Sequence, residues 1–304
     1  MHKYNPTYAR IRMQRFLNLE EYLDEKNEEN LIMATILVDP NLCNCCGICS
    51  SVCAMSIITK TDEEALPNVE DAKAAICIKC GHCEAFCPSG ALVLNFRADE
   101  KDAMAPGVDS ISPEAMALHL KKRRSVRRFT KDLVPREKIL EILDAVRYAA
   151  SGVNAQPVQW LIIHDPDKVR MVARLTIEWL KGLQGTAHPL SSYAPVLISG
   201  WEKGNDVICR GAPHLLIALI PESKPAAPTD AIIALTHFDV AAPAFGIGTC
   251  WAGFVAHAAT SHEPLKKALG LPQGWKCAYA MMFGYPLYRT YAIPRRNPLK
   301  ATWL

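Results

Sequence analysis

The sequence predicts an α+β protein in two domains, a small cysteine-rich unit followed by a larger unit of mixed helices and strands. Three observations carry this. Eight of the twelve cysteines fall in two runs of one spacing, C-x2-C-x2-C-x3-C, at Cys43, Cys46, Cys49, Cys53 and at Cys77, Cys80, Cys83, Cys87. Residues 99–112, DEKDAMAPGVDSIS, pass from acidic to Pro-Gly to small and polar, which is the composition of a linker. From residue 113 to Leu304, helix-period and strand-period segments alternate over a length that suits one enzyme-sized domain.

Residues 1–34 are polar and charged, with a helix predicted across Tyr8–Asn27, and read as a docking or packing extension. Ala34–Val38 is a short strand entering the cysteine-rich unit, 35–98. The two cysteine runs lie 34 residues apart, and Gly47 and Gly81 recur at the same offset, so the unit is an internal repeat joined by the insert Thr59–Ala74. Each glycine lets backbone pass close to a bound group. Thiolates at this spacing, closed by Pro88, form the ligand run of two [4Fe–4S] clusters, each drawing three ligands from one run and the fourth from the other. The unit resembles the two-cluster bacterial ferredoxins. It departs from them at Ala54, where a proline usually follows the fourth cysteine. Cys45 is read as a packing or tuning thiol beside the ligands, and His82 as solvent-facing.

Lys and Arg exceed Asp and Glu by 34 to 31, a formal charge of +3, so no broad basic bias points to nucleic acid. The opening residues Met1–Pro6 carry no apolar leader, and a reducing cytoplasmic setting is expected. The longest apolar stretch, 231–259, is interrupted by Thr236, His237, Asp239, Pro243 and glycines, so it reads as a buried helix and not a membrane span.

In the larger domain, 113–304, Ser112 and Pro113 supply an N-cap and a first-turn proline. Pro135–Ala149 carries Ile139, Ile142, Leu143 and Val146 on one helical face. Val158–His164 is a strand, Asp167–Leu183 a helix, His214–Ile220 a buried strand, Thr229–Gly246 a long apolar helix and Ala278–Gly284 another buried strand.

Three segments carry chemistry. Arg123–Phe129, RRSVRRF, groups four arginines and a serine into an anion site, because guanidinium forks and a hydroxyl suit phosphate. Ala150–Pro157, ASGVNAQP, offers amide and hydroxyl groups able to pair with a ring edge that both donates and accepts. Gly246–Phe254, GIGTCWAGF, is small enough for backbone to approach a flat ligand. Arg295 and Arg296 add a basic pair near the C-terminus. Taken singly, the first run reads as a solvated patch and the second as an ordinary loop.

In this order and spacing, residues 114–304 resemble the FMN-dependent nitroreductases, here fused behind a two-cluster ferredoxin unit. The resemblance implies a homodimer with two FMN at its interface. Arg123, Ser125 and Arg127 would cradle the FMN phosphate and ribityl chain, with Arg124 beside them, and Arg295 and then Arg296 would reach the same phosphate. Ser151, Gly152, Asn154 and Gln156 would contact flavin from the other subunit. The backbone N–H groups of Ala252 and Gly253 would approach flavin N5 and O4, and the 229–246 helix would form dimer core. Cys250 is read as a structural thiol, Cys209 and Cys277 as core, His237 and Asp239 as satisfied polar groups at a packed interface. No side chain is singled out as catalytic.

The function implied is an iron–sulfur flavoprotein oxidoreductase that passes electrons between clusters and FMN to reduce a small conjugated acceptor, whether nitroaromatic, enone or quinone. Ferredoxin or NAD(P)H would be the donor, and residues 184–210 would hold substrate specificity. Two other readings remain open at this point: a non-catalytic electron-transfer or redox-sensing module, and a dehydrogenase running in reverse to reduce ferredoxin.

Overall fold

The structure, a computed structural model, describes residues 36–94 and 111–304, which form two compact units. The expected extension 1–34 and residues 99–110 of the expected linker lie outside the described residues.

In the first unit, β1 (Ile36–Val38) leads to α1 (Ile48–Ser51), β2 (Ile58–Thr59), β3 (Asn68–Val69), α2 (Asp71–Ala74), α3 (His82–Ala85) and β4 (Leu92–Leu94). β1 and β4 pair antiparallel, Ile36 opposite Leu94, and so bring the two ends of the unit together. β2 and β3 form a second antiparallel pair inside the predicted insert. The repeat is visible in the backbone. Gly47 and Gly81 precede α1 and α3 at φ 72° and 77°, a left-handed turn that glycine adopts without steric cost. Ile57, Ile58, Cys83, Leu92 and Leu94 form the small core.

The second unit runs α4 (Pro113–Lys122), α5 (Arg136–Val146), β5 (Gln159–Ile163), α6 (Pro166–Leu183), α7 (Ala194–Glu202), β6 (His214–Pro221), α8 (Ala227–Ala241), β7 (Gly248–Trp251), α9 (Gly253–Ser261), α10 (Glu263–Leu269) and β8 (Trp275–Gly284). The strands form one antiparallel sheet in the order β5-β6-β8-β7. α5 and α8 cover one face through Ile139, Ile142, Leu235 and Phe238, and α6, α9 and α10 cover the other through Val172, Leu180, Ala258 and Leu265. β6 lies between them, which is why HLLIALI reads as an unbroken apolar run. α5 buries the four predicted residues, spaced to share one helical stripe. Ser112 Oγ accepts from Ala115 N at 3.1 Å, capping α4 as expected.

One expectation is corrected. Residues 231–259 are not a single buried helix, and the helix predicted across 229–246 ends at Ala241. A 3-10 turn, Ala242–Phe245, follows and closes on Gly246 at φ 76°; then come β7 and α9. Pro243 lacks the N–H that helix continuation needs, and Gly246 supplies the left-handed turn. Among the described residues no helix is long and apolar enough to cross a membrane.

Candidate functional site

The arginine run is an extra ribbon on the free edge of β7. Val126 N donates to Thr249 O at 2.8 Å, and Ser125 bridges Thr249 in parallel. Gly248 makes this approach possible, since a Cβ there would stand 2.5 Å from Val126 Cγ2. Beneath the ribbon, Asp239 of α8 is buried and accepts from Thr249 Oγ1 and from Trp251 Nε1 (3.1 Å). Its other contact is Arg123 Nη1 at 3.4 Å. Arg123 thus has its charge committed to a buried carboxylate, whereas Arg127 points only a 3.4 Å hydrogen bond at the Ser125 carbonyl. Arg124 donates to the Arg123 carbonyl.

Arg127 lines a cavity of about 870 Å3, together with Arg210, Cys250, Trp251, Ala252 and Gly253. Leu190, Val207, Phe254 and Met282 give it apolar walls, and His257 and Tyr279 complete it. Ala252 N–H donates to Ala280 O at 2.9 Å, so it continues the β7–β8 ladder and is not free in the cavity. α9 begins at the next residue, and helix geometry leaves the N–H groups of Gly253, Phe254 and Val255 without an intrahelical acceptor. The cavity's backbone donors therefore start at Gly253, one residue later than expected. Burial pushes the Cys250 thiol up, against the pull of Arg127 and Arg210, consistent with a protonated, packed group. Cys209 and Cys277 are buried, as expected, and burial drives Cys277 up to about 12.

Ser151, Gly152, Asn154 and Gln156 form a tight knot. Ser151 Oγ accepts from Gln156 N (3.0 Å), and Gln156 Nε2 donates to Asn154 Oδ1 (3.2 Å). Gly152 N donates to Asp230 Oδ1 of α8 at 2.9 Å. Val153, Asn154 and Gln156 all hold positive φ, at 48°, 51° and 43°. Such a cluster of left-handed non-glycine residues stores strain. Neither this knot nor Arg295 and Arg296 lines the cavity of its own chain. The arginine pair is exposed in the irregular C-terminal segment, where Arg296 Nη1 donates to the Arg295 carbonyl at 3.1 Å. His237, expected at a packed interface, is exposed on α8 and bonds the Ile233 carbonyl at 2.9 Å.

The eight cysteines line two hollows. Cys43, Cys46 and Cys49 share one of about 340 Å3 with Cys87, and Cys77, Cys80 and Cys83 share one of about 330 Å3 with Cys53. Each hollow thus draws three thiols from one run and a single thiol from the other. Cys45 also borders the first hollow, with positive φ and its carbonyl accepting from Lys60 Nζ. Among the described residues no three His, Cys, Asp or Glu side chains converge as a site for a single metal ion. Burial pushes the Cys83 thiol up to about 12, and Cys80, Cys77 and Cys53 add to it. Burial also works on Cys87, but hydrogen bonds from Ser89, Leu92 and Ala91 outweigh it and lower that thiol. His82 is exposed, as expected, and stacks on Phe86.

Residues 120–285, more than half of the chain, match the Nitroreductase family. The chain belongs to the nitroreductase family. The matched span runs from the arginine ribbon to the end of β8 and excludes the cysteine-rich unit. Two curated relatives are iodotyrosine deiodinases. That of Thermotoga neapolitana is 25% identical over 167 residues, 55% of this chain and 86% of the relative. That of Haliscomenobacter hydrossis is 34% identical over 106 residues, 29% of this chain and 48% of the relative. A solved nitroreductase of Desulfitobacterium hafniense, with bound FMN, superposes with a TM-score of 0.52 at 22% identity, covering 62% of this chain and 97% of its own. That likeness is one of fold. Within this nitroreductase fold, sequence reasoning missed Arg210, Tyr279 and His257. Asp206 ahead of the Arg210-Gly211 turn was the available signal for the first.

Proposed function

We propose that this chain is a flavin oxidoreductase that binds FMN in the cavity bordered by Arg127 and the start of α9, and that two [4Fe–4S] clusters in its cysteine-rich unit carry electrons to or from it. The observation that carries the flavin reading is the make-up of the cavity. It joins an unpaired guanidinium, free helix N-terminal N–H groups and an apolar wall, the three surfaces that a phosphate-bearing aromatic ring needs. Family membership and the shared fold of an FMN-bound nitroreductase support it.

Arg127 and Ser125 hold the phosphate end, with Arg124 beside them, and Arg123 sets the ribbon through Asp239. The N–H groups from Gly253 onward and the positive end of α9 favour negative charge at the ring's polar edge. When bound, flavin supplies two-electron transfer to an acceptor and the clusters supply single electrons. The acceptor is a small conjugated molecule, nitroaromatic, enone or quinone, and solvent balances its protons.

The cluster reading rests on the two hollows. Cys43, Cys46, Cys49 and Cys87 would hold one cluster, and Cys77, Cys80, Cys83 and Cys53 the other. Eight reduced thiols suit a cytoplasmic compartment. A homodimer fits two further observations. α8 leaves Pro228, Thr229, Ile232, Thr236 and His237 exposed, a surface without charge apart from the titratable imidazole. The knot at 151–156 and Arg295 and Arg296 stay away from their own cavity, where they are free to complete the cavity of a second copy.

The test is an anaerobic absorbance titration of purified protein. Flavin and iron should co-purify, and NADH or NADPH should bleach the flavin if nicotinamide is the donor. Bleaching only with reduced ferredoxin would make ferredoxin the donor. Protein that takes up no flavin when offered FMN would overturn the proposal.

A further inference from the structure

We propose that Arg210 is an anion-recognising residue of this cavity, and that its ligand carries a carboxylate or phosphate on an apolar, conjugated body. This deepens the function proposed above and rests on it for the reaction.

Arg210 stands opposite the arginine ribbon in sequence yet lines the same cavity as Arg127, with Cys250 feeling both charges. Neither arginine has an acidic partner among the described residues, whereas Arg123 is taken by Asp239. The position of Arg210 is built. Asp206 accepts from Ile208 N (3.1 Å) and Cys209 N (2.8 Å) through Oδ1, and from Gly211 N (3.0 Å) through Oδ2. Cys209 is fully buried and anchors the turn from below. Held this way, Arg210 adopts φ 58° and Gly211 φ 68°. A long side chain in the left-handed region costs on the order of 1 kcal/mol, and such a cost persists only where surrounding contacts over-determine it, often at ligand clamps. The forked donor it presents suits a carboxylate or phosphate, while Leu190, Val207 and Met282 offer an apolar body its place.

Two sources share this chemistry, the phosphate of the flavin and an anionic group on the acceptor. The test uses the full-length chain as wild type, Arg210→Gly and Arg210→Lys. Glycine accepts positive φ, so Arg210→Gly should keep its thermal midpoint or raise it, which separates recognition from folding. One arm compares FMN with riboflavin binding to the apo-flavin protein by fluorescence quenching. The other compares KM for 4-nitrobenzoate and 4-nitrobenzamide. Arg210→Gly should weaken the anionic member of one pair about tenfold or more and leave its neutral partner within about twofold. Arg210→Lys should recover part of the loss, since it restores charge but not the fork. A loss in the first arm identifies the cofactor phosphate as the ligand, and a loss in the second identifies the acceptor. Equal effects on charged and neutral members, or none, would overturn the inference. Wild type that binds neither flavin would sink the parent function and this inference together, whereas flavin-loaded wild type beside an indifferent Arg210→Gly sinks this inference alone.

Discussion

Asp230 and Asp239 sit nine residues apart on α8, both buried, and each holds a different segment of the candidate flavin site. At 3.6 residues per turn they face opposite sides of the helix. Asp230 takes the N–H of Gly152, and Asp239 takes Arg123, Thr249 and Trp251. One helix therefore sets the positions of the 151–156 knot and the arginine ribbon.

Asp239→Asn keeps the shape of the acceptor but leaves Arg123 uncompensated and one bond at Thr249 or Trp251 mismatched. Because Arg123 is partly exposed, the loss should be about 1–3 kcal/mol, below that of a fully buried pair. A urea midpoint would report it, and FMN should dissociate more readily from the variant. An unchanged midpoint and unchanged flavin retention would remove Asp239 from this role.

Gly248→Ala places a methyl group 2.5 Å from Val126 Cγ2 and 2.9 Å from Pro286 Cγ. The ribbon must lift from β7, with an overpacking cost of about 1–3 kcal/mol. Hydrogen exchange at the Val126 amide should accelerate well beyond the global change. Uniform exchange across the sheet would mean that the ribbon is not held by this contact.

His214 should make stability fall in acid. Burial, then the neighbouring His164, lowers its pKa to about 4. Its Nδ1 donates to the His164 carbonyl at 3.1 Å, and Nε2 accepts from Val134 N at 2.9 Å, an arrangement open only to the neutral ring. The folded value lies below the unfolded value near 6.5, so the unfolded chain takes up more protons between them. The contribution is complete above about pH 6.5 and falls as pH drops toward 4, by about 3 kcal/mol in all. His214→Gln should flatten that part of the stability profile. A slope that survives the substitution would assign it to other groups.

Paired serine substitutions test the crossed cysteine sets. Cys43→Ser with Cys87→Ser removes two ligands from one hollow and should leave about four irons per chain in the other cluster. Cys43→Ser with Cys53→Ser stays within one run but strikes both hollows, and iron should fall toward zero. Equal iron in the two double variants would contradict the crossed arrangement.

Much of the fold was legible because its signals are local. The stripe Ile139, Ile142, Leu143, Val146 announced α5, the run at His214–Ile220 announced β6, and Ser112-Pro113 announced the start of α4. The segment 231–259 was misread for the complementary reason. Its apolar character is uniform, and the break at Gly246 and Gly248 answers to Val126, more than a hundred residues earlier in the chain.

By itself, the sequence determined the repeat of the cysteine runs, the two-domain α+β plan and the resemblance that placed the arginine ribbon and the Ala252-Gly253 segment in one site. Ligand spacing and helical period are written within a few residues, so they survive without coordinates. Only the tertiary structure decided that Arg123 is spent on Asp239 while Arg127 is free, that the Ala252 N–H is bound in the sheet, that the Asp206 clamp turns Arg210 into the cavity, and that each hollow takes its fourth thiol from the other run. Those pairings cross long stretches of chain, and charge, burial and hydrogen bonding select them only after the sheet and its helices have brought the partners together.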